Sequence, residues 1–229
     1  MIILSIEAST EVSSVAVLGR SGLISEYSLC CKVTHSERLL PAIQRILADT
    51  DVTMKQVDAV AVSVGPGSFT SIRVSVSTAK GLAYPGNKPV IPVSSLAGLA
   101  NRFGGVKLPI CTLLDARKGE VYAAVFRSID GEMSLISPER VIAPARLYDL
   151  IKEPTLFVGE GAVRYKPLLK ESLPSLAVFV PGSLNLLSAA SVGEIALHKL
   201  KAGQTVEHGA LVPNYIRRSE AEILYGNHA

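Results

Sequence analysis

The sequence predicts an α/β fold built from two lobes, each a mixed β-sheet flanked by helices. Three observations predict it. Hydrophobic residues make up 48% of the 229-residue chain, enough for a sizeable core and far from a disordered composition. Short apolar strands alternate with amphipathic helices, the pattern of an α/β domain. The order of elements in the first hundred residues is also repeated after the glycine pair Gly104–Gly105, as topology and not as residue-level repetition.

The elements follow in chain order. Ile2–Glu7 is a continuous apolar strand, and Val12–Leu18 a second, with Val15 and Val17 on one face. Gly19–Gly22 is a hairpin turn that returns the chain through Leu23–Cys31. Thr34 and Glu37 form a capping box, with Thr34 as N-cap and Glu37 reaching back. The helix that follows carries Leu39, Leu40, Ile43, Ile46 and Leu47 on one side. Pro41 lies past its first turn, where a kink or a loosened start is expected. Val57–Val64 is a strand, Gly65-Pro66-Gly67 a tight turn, and Ser68–Tyr84 a helix. A short strand, Pro89–Val93, precedes a helix over Ser94–Arg102, capped by Ser94 and Ser95. Beyond the boundary, Lys107–Leu114, Val121–Ser128 and Glu132–Ser137 form a second meander, with Asp130-Gly131 as its hairpin turn. A helix over Pro144–Lys152, a strand over Thr155–Val158 and a last helix over Leu184–Lys201 complete the chain. The organisation is a first lobe over 1–103, a second over 104–183, and a C-terminal helix and tail over 184–229, the helix packing back on the first lobe.

Composition narrows the function. The net charge of +3 permits contact with RNA without arguing for it, and the basic residues are scattered. No apolar run reaches the roughly 18 residues that a membrane span needs. No basic n-region opens the chain, so neither a signal peptide nor a membrane segment is expected. Three cysteines, Cys30, Cys31 and Cys111, make no disulfide framework, and a cytoplasmic location is the default. Cys30 and Cys31 read as inert core or edge residues. Among His35, His198, His208 and His228 no pair has the i, i+4 spacing of a helical metal site, and His35, near a helix start, reads as polar surface. No metal ligand set and no catalytic triad can be placed.

The strand–turn–helix over residues 60–73 is the most specific segment. Its glycines permit positive φ, and backbone N–H groups at a helix N-terminus favour an anion. It lacks the Walker spacing, since the nearest lysine, Lys80, lies about three turns into the helix. It also fails the G-x-S-x-G elbow of serine hydrolases.

Taken together, Ile6–Thr10, Thr34–Pro41, Gly65–Thr70, Thr78–Leu82, Leu114–Tyr122 and Pro213–Arg217 resemble the bacterial TsaB family, formerly YeaZ, over residues 1 to about 217. The resemblance implies two ribonuclease-H-like lobes of the actin/Hsp70/sugar-kinase superfamily, with a cleft between them. It implies a non-catalytic subunit in the transfer of a threonylcarbamoyl group to N6 of the adenosine beside the anticodon of certain tRNAs. The implied partners are the metal-bearing sister subunit TsaD, the small ATPase TsaE, tRNA through the complex, and a second copy of the chain when alone. In the family, the helices matching 34–48 and 68–84 pair with their equivalents in the partner. The partner-binding candidates are therefore Leu39, Leu40, Ile43, Leu47, Ile72, Arg73, Val76, Ser77 and Lys80.

In the superfamily a hairpin loop from each lobe holds nucleotide phosphates. The matching candidates here are Glu7, Ser9, Thr10, Gly65, Gly67, Ser68 and Asp115. The family usually has Asp-Thr-Ser-Thr at the first loop; Glu7 and Ala8 lengthen the carboxylate and remove a hydroxyl, which counts against phosphate or metal chemistry there. Asp115 reads first as an ion-pair partner of Arg117 or Lys118 in a surface turn, and second as a metal ligand. TsaD carries two metal-binding histidines at the stretch matching Pro92–Leu99, where this chain has Ser95 and Leu99. No cofactor of its own follows, with ATP or ADP placed at the interface with the partner. The alternative reading is a nucleotide-binding phosphotransferase with an active interlobe cleft. A metallopeptidase ranks third, against the missing ligand pair.

Overall fold

The computed structural model describes residues 1–30 and 34–217. Cys31 and His228 lie outside the described residues. The first sheet is built from β1 (Ile3–Glu7), β2 (Val12–Gly19), β3 (Gly22–Cys30), β4 (Ala59–Ser63) and β5 (Val90–Val93). Its spatial order is β3-β2-β1-β4-β5. The hairpins β1–β2–β3 are antiparallel, while β4 and β5 join parallel to β1. Parallel joining needs a crossover, which α1 (His35–Asp49) and α2 (Phe69–Ala83) supply.

α3 (Ser95–Asn101) leads to the second sheet: β6 (Ile110–Asp115), β7 (Val121–Ile129), β8 (Glu132–Ile142), β9 (Thr155–Val158) and β10 (Ala177–Phe179). Its order, β10-β9-β6-β7-β8, repeats that of the first sheet, with two antiparallel hairpins and two parallel strands. Two short helices, α4 (Glu160–Arg164) and α5 (Lys166–Ser172), sit between β9 and β10. This is the duplicated ribonuclease-H-like topology that the resemblance implied.

α1 and α2 cover one face of the first sheet, burying Leu39, Ile43, Ile46, Ile72, Val76 and Ala79 against Leu4, Ile6, Val60 and Val62. The last helix, α6 (Ala189–Lys201), covers the other face, where Val192 and Ala196 meet Ile3, Ala59, Ala61 and Ile91. α3 bridges the lobes. Leu96 and Leu99 lie in one apolar cluster with Ile110, Leu114 and Phe126 of the second sheet. A Cβ at Gly159 would lie 2.8 Å from Leu99 Cδ2, so the second lobe packs closely on this helix.

Several local expectations are corrected. Thr34 is the N-cap of α1 but makes no side-chain cap bond; its Oγ1 accepts from Ser36 instead, so the capping box does not form. α1 runs unbroken through Pro41. Ser94 caps α3 by accepting from the Ala97 N–H at 3.2 Å, whereas Ser95 is buried with no partner for its hydroxyl. Pro144–Asp149 is a 3-10 run, shorter than the expected helix. Its last backbone bonds instead close Leu150 and Ile151 onto Leu147, which is buried in the second lobe. The final helix begins at Ala189, because Ser188 Oγ caps it by accepting from the Ser191 N–H. The stretch before it is a 3-10 turn over Gly182–Asn185.

Candidate functional site

Two places bring the candidate residues together: the loops between the lobes, and the outer groove between α1 and α2.

The loops at the ends of β1 and β4 bond largely to one another. Glu7 ends β1 and is fully buried, and its Oε1 accepts from the Ser9 N–H at 2.7 Å and the Ser9 hydroxyl at 2.6 Å. Its Oε2 has no partner, nor does the Ser63 hydroxyl at the end of the adjoining β4. Burial lifts the Glu7 carboxyl above its ordinary 4.5, against the opposing hydrogen bonds from Ser9. Thr10 Oγ1 accepts from the Val12 N–H at 3.3 Å, and the Thr10 carbonyl contacts His35 Nε2 at 2.7 Å. His35 is therefore half-buried and ties α1 to this loop, which corrects its reading as surface.

The first loop meets the Gly65–Ser68 turn directly. The Ser68 N–H donates to the Ser9 carbonyl at 2.7 Å. A Cβ at Gly67 would lie 2.2 Å from that same oxygen, so only glycine allows the approach. Gly65, at φ +113, is followed by a cis bond to Pro66. Its own added Cβ would lie 2.7 Å from the Asn214 carbonyl oxygen.

In the second lobe, Asp115 pairs with Arg164 at 2.6 Å, a partner the sequence did not suggest. The folded chain brings α4 against β6, a proximity that sequence spacing does not contain. Asp115 Oδ1 also accepts from the Arg117 N–H at 3.1 Å. Among these candidates Glu7 bonds to Ser9 and Ser9 to Ser68, while Glu7 Oε2 stays unpartnered and Asp115 turns to Arg164 and Arg117.

The outer groove has free surface. It measures about 440 Å³ and is lined from α1 by His35, Leu39 and Leu40, and from α2 by Phe69, Arg73 and Ser77. Leu40 is 49% exposed, a large apolar side chain facing solvent. Arg73 and Ser77 are exposed and Lys80 is half-buried. Four partner-binding candidates are corrected: Leu39, Ile43, Ile72 and Val76 are at most 4% exposed. They form the stripe that faces the sheet, so their side chains are core, with only Leu39 reaching the groove floor. Leu47 is half-buried against the same core. Phe69 was not singled out from the sequence. Its ring stacks on Tyr215 with centroids 4.5 Å apart, and the Arg73 guanidinium lies 3.9 Å from its centroid. The only signal in the sequence was its place directly after the Gly65–Ser68 turn.

Among the described residues, no three or more His, Cys, Asp or Glu side chains converge as a metal site. No helix among them is long and apolar enough to cross a membrane. Cys30 is exposed at the sheet edge, while burial pushes the Cys111 thiol up to about 12.

Residues 30–225 match the family model described as TsaD: tRNA N6-adenosine threonylcarbamoyltransferase. The chain is 33% identical to the tRNA threonylcarbamoyladenosine biosynthesis protein TsaB of Bacillus subtilis, over 97% of this chain and 96% of that protein. It is 32% identical to the Escherichia coli protein of the same name, over 96% of each. Among solved structures, YeaZ from Pseudomonas aeruginosa superposes with a TM-score of 0.82 at 30% identity, covering 93% of this chain and 99% of that one. The chain belongs to the family of that model and to the TsaB proteins.

Proposed function

We propose that this chain is a non-catalytic subunit in the synthesis of threonylcarbamoyladenosine on tRNA. It docks through the α1–α2 groove onto a metal-bearing TsaD-type sister, which carries the transfer from threonylcarbamoyl-adenylate to N6 of the adenosine. The observation that carries this reading is the contrast between the two candidate places. The Glu7–Thr10 loop and the Gly65–Ser68 turn bond mainly to each other, whereas the groove leaves Leu40 and a cation, Arg73, beside an apolar cleft. Helix faces of this kind bury an apolar centre with a polar rim when a second helix packs on them. Alone, the chain uses the same surface to form a homodimer. ATP or ADP, where it takes part, belongs at the shared interface and to the ATPase TsaE, not to a cleft of this chain. The setting is the cytoplasm, and tRNA is met through the complex.

The test is a binding titration of the purified sister subunit against the wild-type chain and two variants. Leu40→Asp strands a charge in the contact, and Arg73→Glu reverses the rim. A loss of about 1.4 kcal/mol is tenfold in affinity, and each variant should exceed that. Leu40→Asp should keep the wild-type thermal melt, because that side chain is exposed; Arg73→Glu also loses the Tyr215 hydrogen bond, so its melt is measured alongside. Normal binding by both folded variants sinks the groove reading.

A further inference from the structure

The last described stretch of chain runs from the first lobe to the second, along the groove-bearing helix. Val206 bridges to Val90, its N–H donating to the Val90 carbonyl at 2.9 Å and its carbonyl accepting from the Val90 N–H at 3.0 Å. Leu211 is then buried in the core of the first lobe. The Asn214 N–H donates to the Val64 carbonyl at 2.7 Å, and its side-chain amide donates to Glu139 Oε2 on β8 at 3.4 Å. Tyr215 stacks on Phe69, and Arg73 Nε donates to its hydroxyl at 3.0 Å. Arg217 reaches the β6–β7 loop, where one nitrogen donates to the Ala116 carbonyl at 2.7 Å and another to Glu120.

Two features make this more than a tail laid on a surface. Phe69 and Arg73 both line the α1–α2 groove and both hold Tyr215, so one pair of side chains faces the groove and the strap together. At the other end, the loop that Arg217 grips holds Arg117, Lys118 and Gly119 at φ +59, +53 and +79. Two successive non-glycine residues in the left-handed region persist only where the surroundings hold them. Arg217 brackets that loop from both sides, at Ala116 and Glu120.

We propose that residues 211–217 form a relay strap between the docking groove and the β6–β7 loop of the second lobe. A partner side chain that takes the face of Phe69 displaces Tyr215, and the displacement loosens Arg217 two residues on. The covalent connection is too short for one to move freely of the other. Coupling of this kind is reciprocal, so releasing Arg217 should ease entry into the groove. The partner half of the proposal rests on the docking reading above; the mechanical half does not.

Hydrogen exchange on the full-length chain tests the mechanical half. The Ala116 and Glu120 amides are both hydrogen-bonded within the loop and report on it. Tyr215→Ala should quicken their exchange about tenfold, the scale of one lost hydrogen bond to a charged group, while the β1 and β4 amides stay as in wild type. Tyr215→Phe, which keeps the ring and loses only the Arg73 bond, should quicken it less and covers the case of an unfolded alanine variant. Unchanged exchange at 116 and 120 in a folded variant overturns the strap. The partner half is read by titrating the sister subunit. Arg217→Ala should tighten binding several-fold, and unchanged or weaker binding overturns the relay. If even the wild-type chain fails to bind the sister, the docking reading falls, and the relay with it, while the exchange measurement still decides whether the strap exists.

Discussion

Glu7 shows how one buried side chain sets a pH dependence. Its folded carboxyl titrates above 4.5 because burial outweighs the Ser9 hydrogen bonds. A raised acid pKa means that the folded state favours the protonated form. The stabilisation is complete below 4.5 and is lost as pH rises through the folded value. Glu7→Gln cannot ionise, can still accept from Ser9, and can offer its amide toward the unpartnered Ser63 hydroxyl. Its stability relative to wild type should therefore grow as pH rises above 4.5, by at most about 1.4 kcal/mol per pH unit. Denaturant melts at a series of pH values would show it, and a pH-independent difference would reject it. Leu40 and Val76 make the second contrast at this scale. Val76→Glu places a carboxylate in the core and should cost several kcal/mol, seen as a collapsed melt, where Leu40→Asp should not. The sequence marked both as apolar positions on helices but not which way each faced.

At the scale of elements, the Gly65–Ser68 turn owes its shape to a neighbour distant in sequence. Gly67→Ala would drive a methyl to 2.2 Å from the Ser9 backbone oxygen, and backbone cannot yield as a side-chain tip can. The variant should lose roughly 2–4 kcal/mol by denaturant titration, with the Ser68-to-Ser9 bond broken. A loss under half a kilocalorie would show that the two loops do not depend on each other. The strand–turn–helix itself was legible, because Val60–Val64 is apolar except for Ser63 and glycines flank Pro66. The helices of this lobe were legible too, from the i, i+4, i+7 recurrence of Leu39, Ile43 and Ile46. The short helices α4 and α5 and the three-residue β10 were not, because so few residues set no period. The 3-10 run at Pro144–Asp149 looked helical because Leu147, Leu150 and Ile151 are spaced for one; backbone closure onto Leu147 decided otherwise.

For the whole molecule, α3 belongs to both lobes. Leu99 packs in one cluster with Ile110, Leu114 and Phe126 of the second sheet, while the same helix follows β5 of the first. Unfolding should therefore be a single transition despite the duplicated topology. Leu99→Ala should lower its stability by about 2–5 kcal/mol without splitting it, as calorimetry would record. Two resolved transitions would mean that the lobes unfold independently. The sequence by itself determined the longer elements, the duplicated order and the family, because each is written in local periodicity, turn residues and motif spacing. Only the tertiary structure decided which stripe of α1 and α2 is core and which is groove. It also decided that the Glu7–Thr10 loop meets the Gly65–Ser68 turn. Those outcomes rest on bonds between residues far apart in the chain, Ser9 with Ser68, Asn214 with Val64 and Arg217 with Ala116. Periodicity shows that a helix has an apolar face; it carries no record of what the rest of the chain lays against it.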